Sequence, residues 1–116
     1  MKRITGLVVG LFVLAIACSK SKDDKPSDPP VACGTITTTF SANVGPLMAS
    51  SCAKSGCHNA GSTNGPGALT NYTQIFNSRV AIRSAVSSGF MPQDATFTSM
   101  QKAIITCWID AGAANN

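Results

Sequence analysis

Apolar residues fall into two regimes along the chain. Leu7 to Ala17 (LVVGLFVLAIA) is almost unbroken, whereas Ser19 to Pro30 (SKSKDDKPSDPP) is polar, charged and proline-rich. From Val31 onward the apolar positions return at helical spacing. The β-branched VACGTITTTF predicts a short strand or an extended lead-in. Ser41 to Ser51 predicts a helix, with Ser41 or Asn43 as cap and Pro46 in the first turn; Val44, Leu47, Met48 and Ser51 would share a face. GCHNAGSTNGPGALTN reads as a loop. Thr70 then caps a short helix through Phe76. A further helix from Ser78 to Ser87 carries Val80, Ile82, Ala85 and Val86, with Arg79 and Arg83 on the wet side and Gly89 at its end. FMPQDATF is a loop, because Pro92 disfavours helix at Met91. Thr98 and Gln101 form a capping-box pattern for the last helix, whose apolar stripe is Met100, Ile104, Cys107, Trp108 and Ala111; Gly112 stops it. The fold class expected is all-α with long loops.

The apolar run at the start follows Lys2 and Arg3 and is well short of the ~20 residues that span a bilayer, so residues 1–17 read as a secretory signal. It ends in LAIAC, which resembles the lipobox of bacterial lipoproteins, with Ala15 where leucine is usual. That resemblance implies cleavage before Cys18 and lipidation of its thiol. Residues 18–30 fit a flexible, extended tether, and the SKDDK piece resembles the acidic surface-export signals of Bacteroidetes-type lipoproteins. The expected location is therefore the cell envelope, as an outer-membrane lipoprotein on the periplasmic or surface face, with the lipid bilayer engaged through acylated Cys18. Of nine Lys and Arg residues, Lys2 and Arg3 leave with the signal, so seven face five acidic ones. A mature charge that small argues against a nucleic-acid partner. The folded domain is residues 31–116.

With Cys18 given to lipid, Cys33, Cys52, Cys57 and Cys107 remain in an oxidising compartment. They admit three disulfide pairings, or one disulfide plus another use of two thiols. The segment SCAKSGCHNA decides among the uses, because the chain's only histidine, His58, directly follows Cys57. A zinc corner needs four N or S ligands, commonly as two close pairs; adjacent Cys57 and His58 rarely bind one ion, and Cys33 and Cys107 form no second pair. A plain scaffold would bridge Cys52 to Cys57 and Cys33 to Cys107, leaving His58 a polar loop residue. Covalent haem attachment needs two thiols along one macrocycle edge and a histidine placed immediately after to bind iron. Here the spacing is Cys-x4-Cys-His, a less frequent variant of Cys-x-x-Cys-His, and Ser55-Gly56 supplies the backbone freedom for the two extra residues. A ligand on the opposite face would be a methionine, since no second histidine exists. Met48 is tied to the attachment side, Met100 lies on the last helix's stripe, and Met91 stands in a loop before Pro92, freed from helical packing.

From Phe40 to Asn116 the chain resembles a mono-haem cytochrome c, in particular the planctomycete- and Bacteroidetes-type cytochrome c-like domains. The resemblance rests on a helix leading into SCAKSGCH, then GALTNY, FMP and MQKAIITCWIDAGAANN. It implies a small cytochrome c-like fold around one covalently bound haem c. Cys52 and Cys57 would make the thioethers, His58 the proximal ligand and Met91 the distal one. It also implies that the Trp108 to Ala113 segment packs on the helix before the motif. The carbonyl of Pro66 would accept the imidazole N–H, and Cys33, ahead of the first helix, would pair with Cys107 in the last.

On this reading the function is single-electron transfer between redox proteins of the cell envelope, not catalysis. No Ser/His/acid grouping is available, and the one histidine is used. The alternative is a disulfide-stapled, non-redox surface lipoprotein that binds a partner or ligand. Cys18→Ser should abolish metabolic labelling with a radioactive fatty acid; an unmodified Cys18 in wild-type protein free of membrane overturns the lipoprotein reading.

Overall fold

In the computed structural model, residues 28–116 are described; the signal run, Cys18 and the tether as far as residue 27 lie outside the described residues. The helical part opens with a reciprocal cap. Thr39 Oγ1 accepts from the Ala42 N–H at 3.2 Å, while Asn43 Oδ1 accepts from the Thr39 N–H at 2.9 Å. The cap is therefore Thr39 rather than Ser41 or Asn43, because the first turn is wider than an α-turn. Residues Phe40–Val44 form a π-helical turn, in which the N–H groups of Val44 and Gly45 reach back to the carbonyls of Thr39 and Phe40. Glycine keeps position 45 from crowding that turn. A Cβ there would lie 3.0 Å from the Phe40 carbonyl oxygen and 3.5 Å from its ring. The α-helix α1, Gly45–Ser51, continues directly, with Pro46 in its first turn.

Ahead of this, a 3-10 turn spans Cys33–Thr35 and extended chain follows to Thr39; no strand forms among the described residues. After the glycine-rich loop, α2 (Tyr72–Asn77) starts one residue later than expected. Asn71, not Thr70, caps it by accepting from the Gln74 N–H, and Thr70 instead donates to the Gln74 side chain. Helix α3, Arg79–Ser88, ends where Gly89 takes a left-handed conformation with φ +75°. Helix α4, Ser99–Asp110, carries the full capping box between Thr98 and Gln101. The described chain is thus helical, with long loops between α1 and α2 and between α3 and α4.

Trp108 sits at the centre of the packing, 2% exposed. Its indole lies 5.6 Å from the Phe40 ring and 6.4 Å from Tyr72, and Nε1 donates to the Ala114 carbonyl. Val44, Met48 and Ile105, all fully buried, belong to the same core. The C-terminal tail is tied to the start of α1's approach, with Asn116 accepting from the N–H groups of Phe40 and Ser41 and Tyr72 Oη donating to the Ala113 carbonyl. The last helix and its tail therefore pack on the wide turn that feeds α1.

The expected stripe of α4 is only partly the buried one. Met100 is 46% exposed and Ala111 is exposed, while Ala103 and Ile105, flanking the stripe, are buried. The reason is that α4 packs on two neighbours, α3 on one side and the wide turn on the other, so burial is broad along its middle and absent at its ends. Across the α3–α4 contact Arg83 makes a bidentate pair with Asp110 at 2.6 and 2.8 Å. Its i,i+4 neighbour Arg79 instead lies over the Phe76 ring, 4.0 Å from the centroid.

Cys33 and Cys107 are joined, pinning the extended lead-in to α4 across a sequence separation of 74. Loop-closure entropy for a span of this length is worth about 4 kcal/mol at most. Cys33→Ser combined with Cys107→Ala should lower the unfolding free energy by ~2–4 kcal/mol in the chain-entropy picture, read as a lower urea midpoint; an unchanged midpoint would show that the bridge contributes nothing to stability.

Candidate functional site

Helix α1 delivers the first thiol. Met48 and Cys52 are one turn apart on one face, and the N–H groups of Cys52 and Ala53 both bond the Met48 carbonyl. The chain then reverses. Gly56 takes φ +79°, Cys57 N–H bonds the Lys54 carbonyl, and His58 N–H returns to the Cys52 carbonyl at 3.0 Å. Two thiols and an imidazole are thereby carried on one closed loop. Cys52 is buried, Cys57 half-buried, and neither is disulfide-bonded.

The following loop braces this one. Ser62 Oγ donates to the Cys57 carbonyl at 2.6 Å, and Asn64 Nδ2 donates to the carbonyls of both Gly56 and Cys57. Leu69 N–H bonds the His58 carbonyl. His58 itself is 6% exposed, and its Nδ1 lies 2.8 Å from the Gly67 carbonyl oxygen. A carbonyl only accepts, so Nδ1 holds the proton and, in the neutral imidazole, Nε2 holds the lone pair. The acceptor is Gly67, one residue beyond the expected Pro66, because the turn through Gly65-Pro66-Gly67 presents the later carbonyl to the ring. No hydrogen bond reaches Nε2, yet no buried side-chain nitrogen or oxygen among the described residues is left unpartnered; Nε2 opens onto a cleft.

That cleft has a volume of about 730 Å³, within the ~300–1,000 Å³ of small-molecule and cofactor sites. Its walls bring together Cys52, Cys57, His58 and Met91, the residues singled out from the sequence, with Met48 behind Cys52. The far wall is built by α3, through Ile82 and Val86, and by the loop that follows it. Met91 N–H folds back to the Ala85 carbonyl at 3.1 Å, and Pro92 is buried, so the methionine is fixed against α3 rather than hanging free. Leu69, buried, and Phe90, 64% exposed, also line the cleft. Met100 does not line the cleft.

Burial pushes the Cys52 thiol up to about 11, with the neighbouring Cys57 adding to the same direction. A thiol so disfavoured as thiolate is a poor nucleophile for thiol–disulfide exchange. The charged groups nearby, Lys54 and Asp94, form an ion pair in which each holds the other ionised: the Lys54 ammonium is raised and the Asp94 carboxyl lowered by their hydrogen bond. Among the described residues no three His, Cys, Asp or Glu side chains cluster as a metal-holding group. An imidazole nitrogen and a thioether on the walls of one apolar cleft, with two unbonded thiols on its edge, is a donor set of another kind. It fits a covalently held haem.

Comparison of the chain with protein-family models, with curated proteins and with solved structures gives no match in any of the three. The assignment of this site rests on its residues alone. Sequence reading missed the polar brace, Ser62 and Asn64, and the Lys54–Asp94 pair. The brace had a signal, since short hydrogen-bonding side chains recur in a glycine-rich loop next to the motif; the ion pair joins positions 40 residues apart and had none.

In protein isolated without attachment at the thiols, alkylation of Cys52 should rise about tenfold per pH unit and level off only near pH 11, as peptide mapping by mass would follow. A plateau at or below pH 9 would mean that Cys52 is not held in the buried setting described.

Proposed function

We propose that the protein is a membrane-tethered mono-haem c-type cytochrome that carries single electrons between redox proteins of the cell envelope. One observation carries the reading. Cys52 and Cys57 are unbonded while Cys33 and Cys107 are bridged, and the free Nε2 of His58 opens onto the same cleft as Met91. The stapled-scaffold alternative needs a Cys52–Cys57 bridge, and that half of the staple is missing.

Haem c bound there supplies a one-electron iron couple. The chain's residues do the rest. Cys52 and Cys57 would hold the haem as thioethers. His58 would offer Nε2 to the iron, and the Gly67 carbonyl orients the ring and makes the imidazole more electron-donating. Met91 would offer a soft sulfur, which favours the reduced state. Leu69, Ile82 and Val86 would exclude water from the group. With His58 and Met91 both serving as ligands, the chain would leave oxygen and peroxide no open site. Redox partners would meet it in weak, transient encounters, while lipid on Cys18 keeps it at the outer membrane, on the periplasmic or surface face.

Protein matured in a host with c-type haem assembly should keep haem through a denaturing gel and in its intact mass; a colourless product overturns the proposal. In that holoprotein, Met91→Ala should retain covalent haem, lose the sulfur-to-iron charge-transfer absorption of the oxidised state, fall in potential and bind cyanide more tightly. An unaltered spectrum in Met91→Ala removes Met91 as a ligand.

A further inference from the structure

The cleft lies between two loops, and one hydrogen bond joins them. The segment bearing Cys52, Cys57 and His58 is bound to its own brace through Ser62, Asn64, Gly67 and Leu69. The Met91 loop is bound to α3 through the Ala85 carbonyl. Among the described residues the only hydrogen bond joining one side to the other runs from Lys54 Nζ to Asp94 Oδ2.

We infer that Lys54 and Asp94 are positioning residues, a latch that holds the Met91 loop closed over the cleft against the cysteine loop. Lys54 lies inside the Cys52–Cys57 loop and Asp94 two residues beyond buried Pro92. Met91 is then gripped from both ends: by its own N–H on α3, and by the Pro92–Asp94 stretch fastened to the opposite wall. The partners are half in water, with side-chain exposures of 38% and 52%. An exposed pair of this kind is worth little in overall stability. Its effect lies in the opening of one loop. The longer Cys-x4-Cys spacing gains a function on this account, because the extra residues carry the cation outward to meet the other loop. The inference deepens the cytochrome reading and rests on it for the role of Met91.

The test uses the holoprotein with Lys54→Met, Asp94→Asn and the exchanged pair Lys54→Asp/Asp94→Lys. Imidazole, which competes with Met91 for the iron, reads loop opening. At ~10 mM salt each single variant should bind imidazole roughly two- to fivefold more tightly than wild type, the range open to an exposed ion pair. The exchanged pair should return toward wild type. Raising salt to ~1 M should bring wild type to the single variants' value and leave those variants unmoved. Hydrogen exchange of the 93–97 amides gives a second reading on the protein as isolated, whatever it carries, and should quicken by a similar factor in each single variant. Single variants that match wild type in both measurements, or an exchanged pair that folds with an unchanged melting temperature yet stays open, overturn the latch. Wild-type protein without haem overturns the cytochrome reading instead, and the amide exchange still decides whether the latch exists.

Discussion

The burial of the Trp108 indole joins the two ends of the folded chain, and the approach of α1, which carries Cys52 to the cleft, is held by it. The ring is packed by Phe40 and Tyr72, and its N–H is met by the carbonyl of Ala114 in a tail that turns back through Gly112 and Ala113. Because Asn116 in turn holds the N–H groups of Phe40 and Ser41, the wide turn before α1 has one position available to it. Helix α1 grows from that turn. Its length then decides that Met48 points into the core and Cys52, a turn later, reaches the cleft. A large buried side chain of this kind is typically worth about 3–5 kcal/mol against alanine, a large part of a small domain's stability.

With the aromatic cluster gathered at one end, the middle of the domain is left concave. Leu69, Ile82 and Val86 are buried among core neighbours, yet they also line the cleft. An apolar hollow of that size is a poor arrangement for a domain with so little core, since surface is lost least efficiently in the smallest proteins. Two features offset it. The Cys33–Cys107 bridge, neither residue of which lines the cleft, restrains the unfolded chain. On the proposed reading, a planar apolar group attached at Cys52 and Cys57 completes the core from within, and the same walls that bind it become better packed when it is present.

What was legible in the sequence was what local chemistry determines. The Thr98–Gln101 box, the left-handed Gly89 and the loop around Pro92 are each written in a few neighbouring residues, and each is where it was expected. The candidate site was legible for a related reason: two thiols and an imidazole on one short loop carry their geometry with them. Misses arose where the deciding neighbour is distant or the backbone is free. Met100 looked like core on a single-faced helix, but α4 is held between two partners and its first turn projects past them. Pro66 gave way to Gly67 because a turn bounded by glycines can present either carbonyl. Thr39 displaced Ser41 as cap because a π-turn, unlike an α-turn, was not anticipated from the pattern.

The cysteine spacing itself has a physical consequence. A longer loop has more conformations to lose when its ends are brought together, and here the ends must meet closely enough for the His58 N–H to bond the Cys52 carbonyl. Gly56 makes the reversal possible but does not select it, since glycine is permissive in both hands. Selection comes from outside the loop. Asn64 takes hold of the Gly56 and Cys57 carbonyls together, and Ser62 shares the second of these. Those carbonyls would otherwise be free to rotate toward water, and with them the Cys57 thiol and the imidazole that follows it. The extra residues of the motif therefore depend on the glycine-rich loop beyond it. Without Ser62 and Asn64 the same cysteine and histidine residues would be present, but no longer held in one arrangement at the edge of the cleft.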